Sequence, residues 1–217
     1  MRVLVACEFS GRVRDEFIKL GHEAISCDIL PTEIDNPHYQ GDVFDIVNDG
    51  WDLMIAHPPC THLAVSGARW FKEKRKDGRQ QKAIEFFLQL TNVAIEKICI
   101  ENPVSIMSTF YRKPNQIIQP YQFGHIEAKK TCLWLKNLPV LRYGQAIQQS
   151  FEDDATPSFT EIKEPIYTTF ASGKRMATWY IEAAKDKENR GVIRSRTFKG
   201  IAKAMAEQWS SLGALIE

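Results

Sequence analysis

Two short apolar runs, each broken off by proline, constrain this chain more than anything else in it. Asp52-Leu-Met-Ile-Ala-His57 stops at Pro58-Pro59 and then presents Cys60, and Lys97-Ile-Cys-Ile leads into Glu101-Asn102-Pro103. Proline has no N–H to give a ladder and holds its own φ, so each run reads as a strand that ends in a stiff loop. Between them Ala83, Phe86, Phe87, Leu90 and Val93 recur at helical spacing over Gln80 to Ala94, the pattern of a crossover helix. A strand, a crossover and a second strand make a right-handed parallel unit. Parallel strands point one way, so the Cys60 thiol and the Glu101 carboxylate are expected at one carboxyl edge, where open α/β sheets bind ligands.

The same alternation starts at residue 2. Arg2 to Cys7 reads as a buried strand, and Val13, Phe17, Ile18 and Leu20 as an amphipathic helix closed by Gly21. A second strand over 23–27 ends at Asp28, and a weaker strand signal covers Val43 to Val47. Strands and helices in alternation predict an α/β fold, a mostly parallel sheet with helices on both faces. After residue 104 the pattern loosens. Ile117-Ile118 and Lys130 to Leu135 suggest strands of an antiparallel part, and Lys72 to Arg79 reads as a charged, mobile loop. Residues 140–192 are polar and turn-rich, and Phe198 to Leu215 carries Ile201, Ala202, Met205, Trp209 and Leu212 at helical spacing. The expected organisation is a core over 1–139, a small irregular element over 140–192, and a returning helix in 193–217.

With 217 residues and 44% hydrophobic content the chain can fill one domain. Its net charge of +1 excludes binding to nucleic acid by overall basicity. A polyanion site must therefore be a local patch: the run 72–79, or Lys174-Arg175 with Arg190, Arg194 and Arg196. Five scattered cysteines with no C-x-x-C pair suggest reduced thiols and a cytoplasmic setting. No apolar stretch approaches the roughly 20 residues of a membrane span.

The candidate chemistry lies in the loops. Cys7 to Arg14 joins a first strand to a first helix, as in nucleotide-binding folds, but it contains Gly11 alone of the G-x-G-x-x-G pattern, so it suits a cofactor cradle or an ordinary turn. Asp28 at the end of the second strand has the position of an acid that accepts from ribose hydroxyls. Asp42, placed at the start of the third strand, reads either as a contact to an adenine amino group or as a turn aspartate after Gly41. Cys60 reads as a nucleophile if its surroundings lower its pKa, with His57, His62 and nearby basic residues as the expected agents, or else as a small buried hydrophobe. His57, Cys60 and His62 also invite a zinc reading, but the H-x-E and P-C-x-x-C of zinc base deaminases are absent.

In their order these residues resemble the DNA cytosine 5-methyltransferases, in particular short phage and prophage members. The motifs are Glu8-Phe-Ser-Gly-Arg-Val13, Cys27-Asp-Ile29, Gly41-Asp-Val43, Pro58-Pro-Cys60 and Glu101-Asn-Pro103. The resemblance implies a Rossmann-like methyltransferase fold that uses S-adenosylmethionine and acts on cytosine in DNA, in double-stranded form with the target base flipped out. It implies a cofactor site of Glu8, Phe9, Ser10, Gly11, Val13, Asp28, Ile29, Asp42, Val43 and Pro58, closed by Thr197 and Phe198 of a returning segment. It implies Cys60 as nucleophile, Glu101 as its partner acid, and Lys129 and Thr131 at the position of an arginine motif. Residues 140–192 would then be a small target-recognition element with a short or relaxed recognition sequence, in an enzyme of restriction–modification type in a bacterial host. Amino-directed methyltransferases carry an aromatic residue after the prolines, so Cys60 separates the two reaction types. Two other readings stay open: transfer of a one-carbon unit from another donor or to a free pyrimidine nucleotide, and a DNA-binding module without catalysis.

Overall fold

The computed structural model describes residues 1–144 and 161–210. In chain order the elements are β1 (Arg2–Ala6), α1 (Arg12–Lys19), β2 (Glu23–Asp28), β3 (His38–Gln40), β4 (Leu53–Ala56), α2 (Phe71–Lys76), α3 (Arg79–Thr91), β5 (Lys97–Pro103), α4 (Met107–Phe110), β6 (Gln116–Ile118), β7 (Thr131–Lys136), β8 (Tyr167–Thr169), β9 (Arg175–Ala177), α5 (Thr178–Lys185), α6 (Arg190–Ser195) and α7 (Lys199–Ser210).

Seven strands form one sheet in the order β3-β2-β1-β4-β5-β7-β6. β1, β2, β3, β4 and β5 pair in parallel, whereas β7 runs antiparallel to both of its neighbours. The sheet is covered on both faces, which explains why its central strands read as continuous apolar runs. Along β1 the side chains alternate: Val3 and Val5 enter a core with Phe17 of α1 and Ile201, Met205 and Trp209 of α7. Leu4 and Ala6 enter the opposite core with Ile84, Phe87 and Leu90 of α3 and Trp134 of β7. Both helix faces are those set by the apolar spacing of the sequence.

The third strand lies at His38–Gln40 and not at Val43–Val47. There the Asp42 carboxylate accepts from Phe44 N at 3.0 Å and starts a 3₁₀ turn over Val43–Asp45. Val43 and Val47 are both buried while Asp45 between them is exposed, a pattern that suits a turn of helix and not a strand, where all three would share a face. The charged run after Cys60 forms α2. Lys74 is buried and donates to the Thr61 carbonyl at 2.6 Å, and Arg79 pairs with Glu73 and Asp77. The irregularity expected across 161–192 is also corrected, because this stretch holds the hairpin β8–β9, then α5, then the start of α6. Residues 145–160 of the expected recognition element, and Leu212 and Leu215 of the expected last helix, lie outside the described residues.

Candidate active site

Loop geometry brings the two proline-terminated strand ends together. β4 and β5 are adjacent and parallel, with Ala56 opposite Ile100. His57 N donates to the Ala6 carbonyl at 2.9 Å, which carries the chain straight off the sheet edge into Pro58-Pro59-Cys60. Asn102 Nδ2 then donates to the Pro58 carbonyl at 2.8 Å and clamps this loop against the end of β5. Beyond it Val65 N reaches the Val104 carbonyl and Ile106 N the Leu63 carbonyl, both within 3.1 Å. Cys60 and Glu101 thereby open onto one cavity of about 1000 Å³.

Glu101 Oε2 lies 3.0 Å from His57 Nδ1, and both side chains are nearly buried. Burial alone would raise the Glu101 pKa, but the His57 hydrogen bond and the Lys129 charge outweigh it and hold the carboxyl below its usual range. The Cys60 thiol moves the other way. Burial pushes it up, Glu101 pushes it further, and the charges of Lys129 and Arg194 offset this only in part. The expectation that His57 and His62 lower the thiol is therefore corrected. His57 is spent on Glu101, and His62 faces Lys74, Arg79 and Asp77. With no ligand bound, the site holds a neutral thiol beside a carboxylate.

The opposite half of the cavity is built on β1, β2 and the turn after β3. Glu8 is buried, and its carboxylate accepts from Val13 N at 2.8 Å, Arg14 N at 3.3 Å and Ser10 Oγ at 3.2 Å. It caps the first turn of α1 from inside the loop. Asp28 ends β2 with one oxygen on Leu30 N at 2.9 Å, and burial raises its pKa. Ile29, Val43 and Phe86 supply apolar walls. A strap crosses over this half: Arg196 grips both oxygens of Glu33, Glu33 N donates to the Phe9 carbonyl, and Arg12 donates to the Thr197 carbonyl at 2.9 Å. Thr197 reaches the cavity wall by this route.

Of the site residues expected from the sequence, the cavity brings together Glu8, Phe9, Ser10, Asp28, Ile29, Asp42, Val43, Pro58, Cys60, Glu101, Lys129 and Thr197. Four others sit elsewhere. Val13 is fully buried against the sheet, so only its N–H turns toward Glu8. Gly11 precedes α1 at a φ of 67°, where an added Cβ would meet the Arg14 guanidinium; it shapes the loop from behind. Thr131 is buried at the start of β7 opposite Pro103 and donates to the Lys129 carbonyl. Phe198 packs edge-on against His125 and Trp179 and lines a neighbouring cavity of about 570 Å³.

Sequence reasoning missed four contributors. His57 was assigned to the wrong partner, and Asn102 was quoted in a motif without a role. Trp179 and Tyr180 form an aromatic wall, with Trp179 Nε1 donating to the Ala128 carbonyl at 2.8 Å. Their adjacency just after a basic pair was the available signal.

No protein-family model matches the chain, and no curated protein does. Among solved structures it is similar to the methyltransferase EhMeth of Entamoeba histolytica, at 13% identity and a TM-score of 0.45. That likeness covers 77% of this chain, which spans 58% of the other. The fold itself is decided by the sheet. It is a Rossmann-like α/β fold. Its mostly parallel sheet with helices on both faces was expected from the sequence, as was an antiparallel part after residue 104, here β7 reversed between β5 and β6.

Proposed function

We propose that this protein transfers a methyl group from S-adenosylmethionine to carbon 5 of cytosine in DNA. One observation carries the reading: a thiol and a carboxylate at the ends of adjacent parallel strands share a cavity with Asp28, which ends β2, and Asp42, which follows β3.

The residues suit the cofactor. A helix N-terminus attracts phosphate, but here the first turn of α1 is already satisfied by Glu8, so the loop favours a nucleoside without a pyrophosphate. One oxygen of Asp28 is bound to Leu30 N, and the other would accept from ribose hydroxyls. Ile29 and Val43 would face the two sides of an adenine, with Asp42 at its edge. Bound there, S-adenosylmethionine supplies an electrophilic methyl group.

Carbon 5 of cytosine is a weak nucleophile. Addition of the Cys60 thiolate to carbon 6 forms the S–C6 bond and moves electron density toward carbon 5 and ring nitrogen 3. Glu101 in its protonated form donates to nitrogen 3 and stabilises that density. Carbon 5 then takes the methyl group as the S–CH3 bond of the donor breaks and S-adenosylhomocysteine leaves as a neutral thioether. Loss of the carbon 5 proton to solvent and rupture of the S–C6 bond expel Cys60 as thiolate, and nitrogen 3 leaves its proton with Glu101.

The proton inventory of the free site fits this scheme. The pair Cys60 and Glu101 holds one proton, on sulfur. The reactive state also holds one, on Glu101. Activation of the thiol thus requires transfer of that proton within the site, a step that is uphill in the free protein and needs no net uptake. A cytosine stacked in a duplex must leave the stack to reach this cavity.

The test is incubation with isotope-labelled S-adenosylmethionine and unmethylated DNA, followed by digestion to nucleosides and mass analysis. Labelled 5-methylcytosine is expected with the wild type and not with Cys60→Ala. Label in adenine, or no label in any base, would reject the reading.

A further inference from the structure

We infer that Arg194 is an anion-binding residue of this cavity, and that the ligand it takes is the phosphate attached to the nucleotide whose base faces Cys60. The proposal rests on the reading above for the base and adds the group that holds its backbone.

Arg194 lies on α6 and lines the cavity with Lys129, Tyr180 and Cys60. Its guanidinium carbon sits 4.0 Å from the Tyr180 ring centroid. That stacking fixes the plane of the fork and leaves its N–H edge for an acceptor. The backbone of the same residue is anchored, because the Arg194 carbonyl accepts from Lys129 Nζ at 3.0 Å. Among the described residues no carboxylate or carbonyl accepts from the Arg194 guanidinium, unlike Arg12, Arg14 and Arg196, which are all engaged by protein acceptors. A half-buried cation without an acceptor, on a cavity wall, is matched by an anion from outside the protein.

The acids already in the cavity are poor candidates for that anion. Glu101 is bound by His57, Asp28 by Leu30 N, and Glu8 by the first turn of α1. Arg194 and Cys60 line the same cavity, so an anion seated on Arg194 would share that cavity with the base that faces the nucleophile. The planar fork suits a phosphate through paired hydrogen bonds. Lys129, with one donor on the Arg194 carbonyl, adds charge to the same wall. A phosphate of a nucleic-acid strand and one of a free nucleotide present the same chemistry to this grip.

The experiment measures binding of a fluorescent cytosine oligonucleotide, single-stranded and duplex, over a salt series, with deoxycytidine and dCMP as competitors. Wild type, Arg194→Met and Arg194→Lys are compared, Met keeping the stacking stem and Lys the charge. Loss of one phosphate contact should reduce the salt slope by about 1 and weaken binding about tenfold in Arg194→Met, with Arg194→Lys between the two. dCMP should compete at least about tenfold better than deoxycytidine in the wild type and lose that advantage in Arg194→Met. Equal competition by dCMP and the oligonucleotide would assign the phosphate to a free nucleotide, and a clear preference for the oligonucleotide would assign it to a strand; both support the site. Unchanged slope and affinity in Arg194→Met, with the variant folded by circular dichroism, would overturn it. Because binding is read without turnover, failure of methyl transfer would sink the functional reading and leave this result standing.

Discussion

At the residue scale the account turns on where one proton sits. Burial and Glu101 raise the Cys60 thiol above its ordinary 9.0, while His57 and Lys129 hold Glu101 below its ordinary 4.5. Between those two values the pair keeps a single proton, so the wild-type rate is expected to be flat across neutral pH. It should fall in acid, where Glu101 takes a second proton, and in alkali, where Cys60 loses its only one. In Glu101→Gln the internal acceptor is gone and the thiol must ionise to solvent. The rate at pH 7 should drop by about 10²- to 10⁴-fold, and its logarithm should climb with pH up to the thiol's own pKa. A flat profile in Glu101→Gln would mean that Glu101 takes no part in activating Cys60. The sequence marked both residues because proline stops leave a clear local signature. It could not give their protonation, since His57 reaches Glu101 from another strand and Lys129 and Arg194 arrive from segments far along the chain.

At the scale of elements, helix α1 does more than cover the sheet. Arg14 is fully buried and gathers the loop between β2 and β3: its guanidinium donates to the Ile34 carbonyl at 3.1 Å, to Ser26 Oγ at 2.9 Å, and to the Asn36 and Pro37 carbonyls at 3.4 Å. Thus α1 fixes the loop that carries Ile29 and the Glu33 strap. Arg14→Met would strand these acceptors and leave Asp15 with Asn36 Nδ2 as its remaining side-chain donor. We expect a loss of about 3 kcal/mol, or about 6–12 °C in Tm for a chain of this size. S-adenosylmethionine should bind more weakly while oligonucleotide binding holds. A variant as stable as the wild type would show that the loop is held by other contacts. Most elements were legible because their apolar periods matched their final faces, as in α3 and β1. The third strand and helix α2 were not: β3 has no apolar run, its residues being His38, Tyr39 and Gln40, and α2 is held by the buried Lys74, a contact that periodicity cannot register.

At the scale of the molecule, the sheet divides the labour. The ends of β1 and β2 and the turn after β3 form the half suited to a nucleoside, the ends of β4 and β5 carry the thiol and carboxylate, and α5 and α6 close the cavity with an aromatic and cationic wall. A net charge of +1 leaves affinity for a polyanion to that wall and to the basic flank of α2, in place of a broad basic surface. The most direct measurement of the central claim is intact-mass analysis after incubation with S-adenosylmethionine and an oligonucleotide carrying 5-fluorocytosine. Fluorine cannot leave as the C5 proton does, so the S–C6 bond formed by Cys60 should persist. The account predicts a protein mass raised by one methylated oligonucleotide, mapped by digestion to the peptide containing Cys60 and absent in Cys60→Ser. Methylation of ordinary cytosine without any such adduct, or an adduct on another cysteine, would contradict it.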